Sequence, residues 1–267
     1  MQIKTTKPRK PKLSIITVCL NDCERLMHTL NSLSKIYDDT RFEHIVIDGG
    51  STDKSFEAVH GFSGFKNFKF YSALDSGIYD GMNRGLAYAS GDWVLFLNCG
   101  DALHMGCDKL FSILSRFDLM ATPHILCFEY AADFSGYVYT KAVNSSAKIK
   151  LPTSHQAMIF SRSWLIQHPY NSKMRIAADF DAFLKVDEEN VWLCSNGDVL
   201  TLVGLDGLAF SRPTLSYYEC MMSICRNKTG VDRIMRAGFL LAKYIVVILL
   251  RLFLPKSVYF KLRASLL

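Results

Sequence analysis

The stretch that decides the fold runs Trp93-Val94-Leu95-Phe96-Leu97-Asn98-Cys99-Gly100-Asp101. Five large apolar residues in succession, ended by turn residues, are typical of a strand buried on both faces of a sheet. In a doubly wound α/β sheet, ligands bind just beyond the carboxyl ends of the strands. An acidic side chain there, beside a glycine, suits a divalent metal that holds a phosphate. The alternative is a strand that ends in an ordinary Asn/Gly turn.

Three earlier segments predict further strand, loop and helix units. Residues 13–18 form a β-rich run, and residues 44–47 form another that ends in the polar, glycine-containing loop 48–53. Residues 75–85 are rich in Asp, Asn and Gly, and the helix that they start could face a phosphate, with Arg84 available to it. Glycine costs a helix about 1 kcal/mol per position, so the two glycines in this helix suggest that another group approaches closely.

The later part of the chain predicts more strands and one helix with acids in its first turn. Strands are expected at 125–128, 137–139 and 155–160, and the helix begins near residue 176. Two further short strands are expected on either side of Asn196-Gly197, because this dipeptide is a strong hairpin signal.

The composition is that of a globular protein in a reducing compartment. The chain has 267 residues, 49% of them hydrophobic and 21% charged, which excludes a disordered chain. Eight cysteines show no CxxC pair, so we expect free thiols, and no signal peptide is visible at the start. These features place the protein in the cytosol.

The net charge of +6 is concentrated at the two ends of the chain. Residues 1–12 hold five bases and no acid, and residues 220–267 hold nine bases and one acid. The body between them is acidic. This distribution favours a membrane surface or another polyanion touched by the ends, and it argues against nucleic acid as a partner.

The apolar segment 237–254 contains two bases, Lys243 and Arg251, and allows three interpretations. It is a helix docked on the protein's own core, a marginal transmembrane span, or a helix lying in the bilayer interface. Since a spanning helix needs roughly 20 uncharged residues, and since bases flank this apolar stretch, the pattern favours the interfacial helix.

Together, four segments resemble the family-two, GT-A-fold glycosyltransferases of bacterial surface-polysaccharide assembly, especially the colanic-acid type. They stand in the family's order and spacing at residues 14–21, 46–53, 75–85 and 91–101. His155-Gln156 and Ala178-Asp179-Phe180-Asp181 continue the match less fully.

The resemblance implies an α/β fold of the GT-A type, a Rossmann-like mixed sheet with helices on both faces. The charge and hydropathy pattern adds a C-terminal apolar and basic helical segment. Together they predict three parts of the chain. They are a basic tail (1–12), a catalytic domain (13–210, with a nucleotide-binding half 13–103 and an acceptor half 104–210) and a helical, membrane-associating segment (211–267).

The implied reaction moves a sugar, with inversion, from a nucleotide diphosphate to a hydroxyl of a lipid-linked glycan at the cytosolic face of the inner membrane. Asp101 would bind Mn²⁺ or Mg²⁺, which neutralises charge on the leaving phosphate. Asp179 would be the base that takes the acceptor proton, with Asp181 as the fallback. His155 and Gln156 would contact the diphosphate or the acceptor.

The resemblance also implies a set of donor-binding residues, in which Asp48 and Thr17 hold the base and ribose. The others are Asn21, Asp53, Asp75, Ser76, Gly77, Asp80, Asn83, Arg84 and Asn98. The chain departs from the family in two places. The first acid of the metal motif is replaced by Asn98 or Gly100, depending on the alignment, and Ala178 stands where many relatives carry Glu.

Two other functions compete with this one. A sugar-nucleotide nucleotidyltransferase would carry a glycine-rich loop with Lys or Arg after its first strand, and residues 19–22 are not such a loop. A non-catalytic, membrane-associated assembly factor would not need both Asp101 and Asp179, so the loss of both would leave it active.

Overall fold

The computed structural model describes residues 10–118, 123–134, 137–141, 143, 151–204, 211–255 and 258. Most of the basic tail 1–12 therefore lies outside the described residues, as do Lys256, Lys261 and Arg263 near the other end. The described strands form one nine-stranded sheet in the order β3-β2-β1-β4-β8-β6-β9-β5, with β7 paired to β6.

The first half of the chain alternates strands and helices. Its elements are β1 (Leu13–Cys19), α1 (Cys23–Leu33), β2 (Phe42–Asp48), α2 (Ser55–Ala58), β3 (Phe68–Ser72), α3 (Ile78–Tyr88) and β4 (Trp93–Phe96). Strands β1 to β4 are mutually parallel where they pair. Their carboxyl ends therefore lie along one edge of the sheet, which we call the carboxyl edge.

The second half adds antiparallel strands. Its elements are β5 (Ala102–Leu103), α4 (Cys107–Ser115), β6 (Ile125–Phe134), β7 (Tyr137–Lys141), β8 (Met158–Ser161), α5 (Arg162–Gln167), α6 (Ala178–Phe183) and β9 (Val191–Gly204). Strand β8 runs antiparallel to β4, with Trp93 opposite Ser161. The start of β8 therefore lies beside the end of β4, at the carboxyl edge.

Apolar cores lie on both faces of the sheet. On one face, Leu26 and Leu30 of α1 pack with Ile15 of β1, as the spacing of the leucines predicts. On the other face, Met82 and Leu86 of α3 pack with residues of β1 and β2. The sheet is thus covered on both sides, as the sequence predicts.

Of two local predictions from glycine, the close approach of another group to α3 is confirmed and the hairpin at Asn196-Gly197 is wrong. A Cβ on Gly85 would clash with Ile16, so the group that approaches this glycine is the sheet. Residues 191–204 form one strand, because both of its parts pair in parallel with β6. Gly197, at φ +72°, lies in an irregularity of this strand, not in a hairpin turn.

Two helices, α7 (Pro213–Asn227) and α8 (Gly230–Phe253), follow the sheet. Tyr244 of α8 stacks on Tyr217 of α7 with ring centroids 4.2 Å apart. Ten large apolar side chains of α8 remain exposed, from Val231 at its start to Phe253 at its end. Along the described ranges, no helix has the length and hydropathy needed to cross a bilayer.

Candidate active site

Polar residues from β4 and β8 meet at the carboxyl edge because the two strands are antiparallel neighbours. Asn98 and Asp101 follow β4, and His155 and Gln156 lie in a 3₁₀ turn just before β8. Gln156 Nε2 donates to Asp101 Oδ2 at 3.1 Å, and Asn98 Nδ2 lies 3.5 Å from His155 Nε2. With Asp179, which lies 3.8 Å from His155, these residues form what we call the central cluster.

The loop that carries Asp101 is held by helix α1. The fully buried Thr29 hydroxyl donates to the Asp101 carbonyl at 2.8 Å and accepts the Gly100 N–H at 3.0 Å. Arg25 donates to the carbonyl of Cys99 at 2.9 Å. The sequence alone gave no role to Thr29 or Arg25. Thr29 stands between the apolar positions of α1, and a polar side chain buried there needs a hydrogen-bond partner.

Asp179 lies in the first turn of α6 and is oriented by a buried tyrosine. The Tyr79 hydroxyl is shared between Asp179 Oδ1 at 3.0 Å and the Ile176 carbonyl at 2.6 Å. Burial raises the pKa of Tyr79 well above its ordinary value, so the phenol keeps its proton. Tyr79 lies within the motif at residues 75–85, but the sequence alone gave it no role.

The other oxygen of Asp179 faces His155. Burial lowers the pKa of the His155 imidazole, and the negative charge of Asp179 only partly offsets this effect. His155 is therefore neutral at neutral pH, and Asp179 Oδ2, 3.8 Å from His155 Nδ1, has no imidazolium there as an ion-pair partner.

Asp181 does not belong to this cluster, which corrects its assignment as a fallback base. Its carboxylate is buried on the other side of α6, where it accepts from Asn227 at 2.9 Å and pairs with Lys185 at 2.8 Å and Arg226 at 3.3 Å. Burial by itself would raise the pKa of Asp181, but Lys185 and Asn227 outweigh it, so the pKa lies below its usual range. The carboxylate is committed to structure.

The central cluster offers oxygen ligands for a hard divalent cation. Asn98 Oδ1 is buried and accepts no hydrogen bond from any described residue, and the Asp101 carboxylate lies in the same loop. Carboxylate and amide oxygens suit Mg²⁺ or Mn²⁺. No group of three or more His, Cys, Asp or Glu in the described part of the chain could hold a metal by itself, so phosphate or water would complete its coordination.

The Asp48 side chain ends β2 and organises the loop that follows it. It is buried, and it accepts from the Ser51 hydroxyl at 2.5 Å, the Ser51 N–H at 3.1 Å and the Ser72 hydroxyl at 2.6 Å. Its carboxylate lies at the carboxyl edge, as expected.

Thr17 lies inside the sheet, which corrects its assignment to the donor. Its fully buried hydroxyl donates to the Leu97 carbonyl at 2.7 Å and lies 2.9 Å from His44 Nε2. Burial lowers the pKa of His44 to about 3, so the ring is neutral. The hydroxyl joins β4 to β2 and has no open side for a ligand.

Asn21 and Asp53 join the loops after β1 and β2. Asn21, with φ +51°, accepts the Thr52 N–H at 2.7 Å. Asp53 accepts the Cys23 N–H at 3.0 Å and the Ser55 N–H at 3.0 Å, so that one carboxylate caps the starts of α1 and α2. Both residues lie at the carboxyl edge, and these oxygen atoms accept hydrogen bonds from other groups of the protein.

The loop before α3 places Asp75 against the loop after β2. A Cβ on Gly49 would lie 2.8 Å from Asp75 Oδ2, and a Cβ on Gly81 would lie 3.1 Å from the same atom. Asp75 accepts the Gly77 N–H at 3.0 Å, and Asp80 accepts the Ser76 N–H at 3.0 Å. Asp75 therefore occupies space that a side chain at position 49 or position 81 would fill.

Asn83 and Arg84 hold neighbouring segments in place. Asn83 donates to the Tyr170 carbonyl at 2.8 Å and accepts the Tyr170 N–H at 3.0 Å. Arg84 donates to the Ala73 carbonyl at 2.8 Å. The structure thus gives Asn83 a scaffold role within the protein.

The part of the chain that carries Asn98 and Asp101 matches a known family. Residues 14–117 match the profile of the family described as Glycosyl transferase family 2. An uncharacterized glycosyltransferase of Mycobacterium tuberculosis is 42% identical over 92 residues, which cover 34% of each chain. The match thus spans about a third of that relative. A PGL/p-HBAD biosynthesis glycosyltransferase of M. tuberculosis is 28% identical over 175 residues, 64% of this chain and 68% of the relative.

Solved structures share the fold. S. aureus TarS in complex with UDP-GlcNAc has a TM-score of 0.66 at 19% identity, covering 86% of this chain and 71% of TarS. A mannosyltransferase of Pyrobaculum calidifontis in complex with GDP-Man and Mn²⁺ has a TM-score of 0.60 at 13% identity, covering 97% of this chain and 81% of that one. The expected GT-A fold is confirmed.

Proposed function

We propose that this chain, which belongs to the family-two glycosyltransferases through its residues 14–117, transfers a sugar from a nucleotide diphosphate to a hydroxyl of an acceptor glycan. The observation that carries the proposal is the central cluster. A carboxylate oriented by Tyr79, a neutral imidazole and oxygen ligands for a cation meet at the carboxyl edge of the sheet. General-base chemistry and stabilisation of a leaving diphosphate need these groups side by side.

Asp179 is the base of the proposed reaction. Its carboxylate takes the proton of the acceptor hydroxyl while that oxygen bonds to the anomeric carbon of the donor sugar. The bond from this carbon to the phosphate oxygen breaks at the same time, and the nucleoside diphosphate leaves with the electron pair. A direct displacement of this kind inverts the anomeric centre. Tyr79 holds Asp179 during the step through the bond at 3.0 Å.

Asp101 and Asn98 are the residues that would hold Mn²⁺ or Mg²⁺. The cation supplies Lewis-acid stabilisation of the charge on the leaving diphosphate. Gln156 fixes the Asp101 carboxylate through its bond at 3.1 Å, and the Gly204 N–H bonds the other carboxylate oxygen at 3.1 Å. Neutral His155, between Asn98 and Asp179, is placed to contact the diphosphate or the acceptor.

The donor side of the site lies beyond β1 and β2. The Asp48 carboxylate stands there among loop N–H groups, in the position expected to meet the base and ribose. Structural neighbours in complex with UDP-GlcNAc and GDP-Man support a nucleotide-sugar donor. Asp75 and Asp80 line the same side and are proposed to contact the donor sugar.

Helix α8 supports a membrane-bound acceptor, a lipid-linked glycan of surface-polysaccharide assembly at the cytosolic face of the inner membrane. Its exposed apolar side chains, with exposed Arg233 and Arg251, fit the interface of an anionic bilayer. Sedimentation with anionic vesicles tests this part of the proposal. Binding that disappears in an Ile245→Glu, Leu249→Glu double variant supports it, and an unbound wild-type protein contradicts it.

The experiment that tests the proposed reaction is release of nucleoside diphosphate from a panel of nucleotide sugars, with Mn²⁺ and a lipid extract as the acceptor source. We expect one donor to be turned over, and Asp179→Asn to abolish the turnover. The matched control is Asp108→Asn, since the Asp108 side chain is 95% exposed on α4. No release from any donor, in protein shown to be folded, would contradict the proposal.

A further inference from the structure

The C-terminal helices pack directly on the helix that carries Asp179. Phe180 and Leu184 at α6 form an apolar cluster with Ile224 of α7, and Leu240 of α8 packs against this cluster. The segment that the sequence marks as membrane-associating is therefore in contact with the candidate base helix.

A buried carboxylate of α7 holds the chain that leads into α6. Glu219 is 8% exposed, and it accepts three consecutive backbone N–H groups, from Arg175 at 2.8 Å, Ile176 at 2.9 Å and Ala177 at 3.0 Å. The N–H of Ala177, the residue just before α6, has no partner within the helix, and bonds to a charged acceptor are stronger than neutral ones. Glu219 therefore fixes the position at which α6 begins.

The same helix holds α6 from its other side. Arg226 and Asn227, the last two residues of α7, donate to the buried Asp181 carboxylate at 3.3 and 2.9 Å. Glu219 and Asn227 are eight residues apart, so α7 contacts the segment before α6 and the helix itself with separate turns. The Glu219 carboxylate and the N–H donors of Arg226 and Asn227 together hold α7 against α6.

Helix α6 needs such support because it is short. It has six residues, and isolated helices of this length are not stable in water. Asp179 is two residues from both contacts, from Ala177 on one side and from Asp181 on the other. Its orientation toward Tyr79 and His155 therefore depends on α7 as well as on the Tyr79 hydroxyl.

We propose that α7 is a positioning element of the catalytic centre, and that Glu219 is the positioning residue through which it sets the direction of Asp179. The C-terminal helices then do more than attach the protein to a surface, because α7 completes the acceptor side of the site. This inference rests on the proposed function, in which Asp179 is the base.

The test compares Glu219→Gln with the matched control Glu189→Gln in the full-length protein. Glu189 is exposed in the turn before β9, at the sheet edge opposite the central cluster. Amide hydrogen exchange of residues 174–184 measures how firmly Glu219 holds the segment that leads into α6. Turnover of the nucleotide sugar measures the activity that depends on Asp179. A third variant, Asn227→Ala, weakens the other contact of α7 if Glu219→Gln fails to fold.

We expect Glu219→Gln to speed exchange at residues 174–184 and to lower kcat at least 10-fold, while the KM for the donor stays within about twofold. The donor is bound by the loops after β1 and β2, which Glu219 does not touch. Asn227→Ala should act in the same direction with a smaller effect, and Glu189→Gln should change nothing.

Faster exchange with an unchanged kcat would overturn the inference, since α7 would then stabilise α6 without serving catalysis. A parallel rise in KM would overturn it too, because a general loosening of the fold acts on both constants. Failure of the proposed function looks different. The wild-type protein would then turn over no nucleotide sugar, whatever the exchange data show.

Discussion

Two stretches of the carboxyl edge carry similar numbers of polar residues and use them differently. Beyond β1 and β2, side chains such as Asn21 and Asp53 form hydrogen bonds with neighbouring loops. Beyond β4 and β8, Asn98 has a buried oxygen that accepts no hydrogen bond from a described residue, and Asp179 has one oxygen facing a neutral histidine. The first stretch builds loops, and the second holds groups suited to chemistry.

The difference shows that a motif mixes residues of two kinds. A buried polar atom that lacks a hydrogen bond to a described residue costs free energy, so it is expected to meet another partner such as a water, an ion or a ligand. A residue with every bond made inside the protein supports the shape of the site. The predictions below separate the two kinds, from the largest effect to the smallest.

Asp179→Asn should lower kcat by about 10²–10⁴-fold, because it removes the general base and leaves the shape of the side chain intact. Steady-state release of nucleoside diphosphate measures it. Affinity for the donor should stay within about twofold, since Asp179 lies on the acceptor side. Wild-type kcat in this variant would remove Asp179 from the mechanism.

Asp181→Asn should lower the free energy of unfolding by about 2 kcal/mol, at the low end for a buried ion pair because Lys185 and Arg226 are partly exposed. The native pKa of Asp181 lies below its unfolded value, so its contribution is present above the unfolded pKa and is lost as the pH falls through the native pKa.

Urea unfolding at several pH values checks the Asp181 prediction. The gap between wild type and Asp181→Asn should be widest at neutral pH and should close below the unfolded pKa of about 3.9. A gap that does not change with pH would mean that the ionised carboxylate is not the source of the stability.

Thr29→Val should cost about 1–2 kcal/mol of stability, because it removes the buried hydroxyl that donates to the Asp101 carbonyl. It should also weaken nucleotide binding in the presence of Mn²⁺, since the loop that carries Asp101 loses its anchor. Thr29→Ser keeps the hydroxyl and should restore binding. A serine variant as weak as the valine variant would assign the effect to packing.

Asn83→Ala should have the smallest effect, about 1 kcal/mol of stability from the two bonds to the Tyr170 backbone. Calorimetric titration with the nucleoside diphosphate should give the wild-type affinity. A loss of affinity larger than tenfold would mean that Asn83 contacts the donor.

Much of the fold could be predicted from the sequence because apolar runs are direct evidence of buried strands. The runs at 13–18 and 93–97 predict strands of a doubly wound sheet, and the structure has them as β1 and β4, which lie side by side. The position of Asp101 just beyond β4 follows from the same reasoning. Helices on both faces follow from the alternation of strand and helix.

The direction of individual side chains could not be predicted. Asp179 and Asp181 look equivalent in the sequence, yet residues two apart on a helix point to nearly opposite sides, so the exact start of α6 decides which one faces His155. That start is set by Glu219, about 40 residues away in the chain. Arg84 and Asn83 likewise bond backbone groups that sequence spacing does not bring together.

The central claim is that the edge beyond β4 and β8 is the catalytic centre, and one measurement tests it most directly. Binding of UDP and GDP is titrated with and without Mn²⁺ in wild type, Asp101→Asn and Asp92→Asn. Asp92 is the matched control, an exposed acid at the opposite end of β4 that pairs with Lys10. We predict that Mn²⁺ tightens binding of one nucleotide at least tenfold in wild type and Asp92→Asn, and has no effect in Asp101→Asn. Equal tightening in Asp101→Asn would contradict the account.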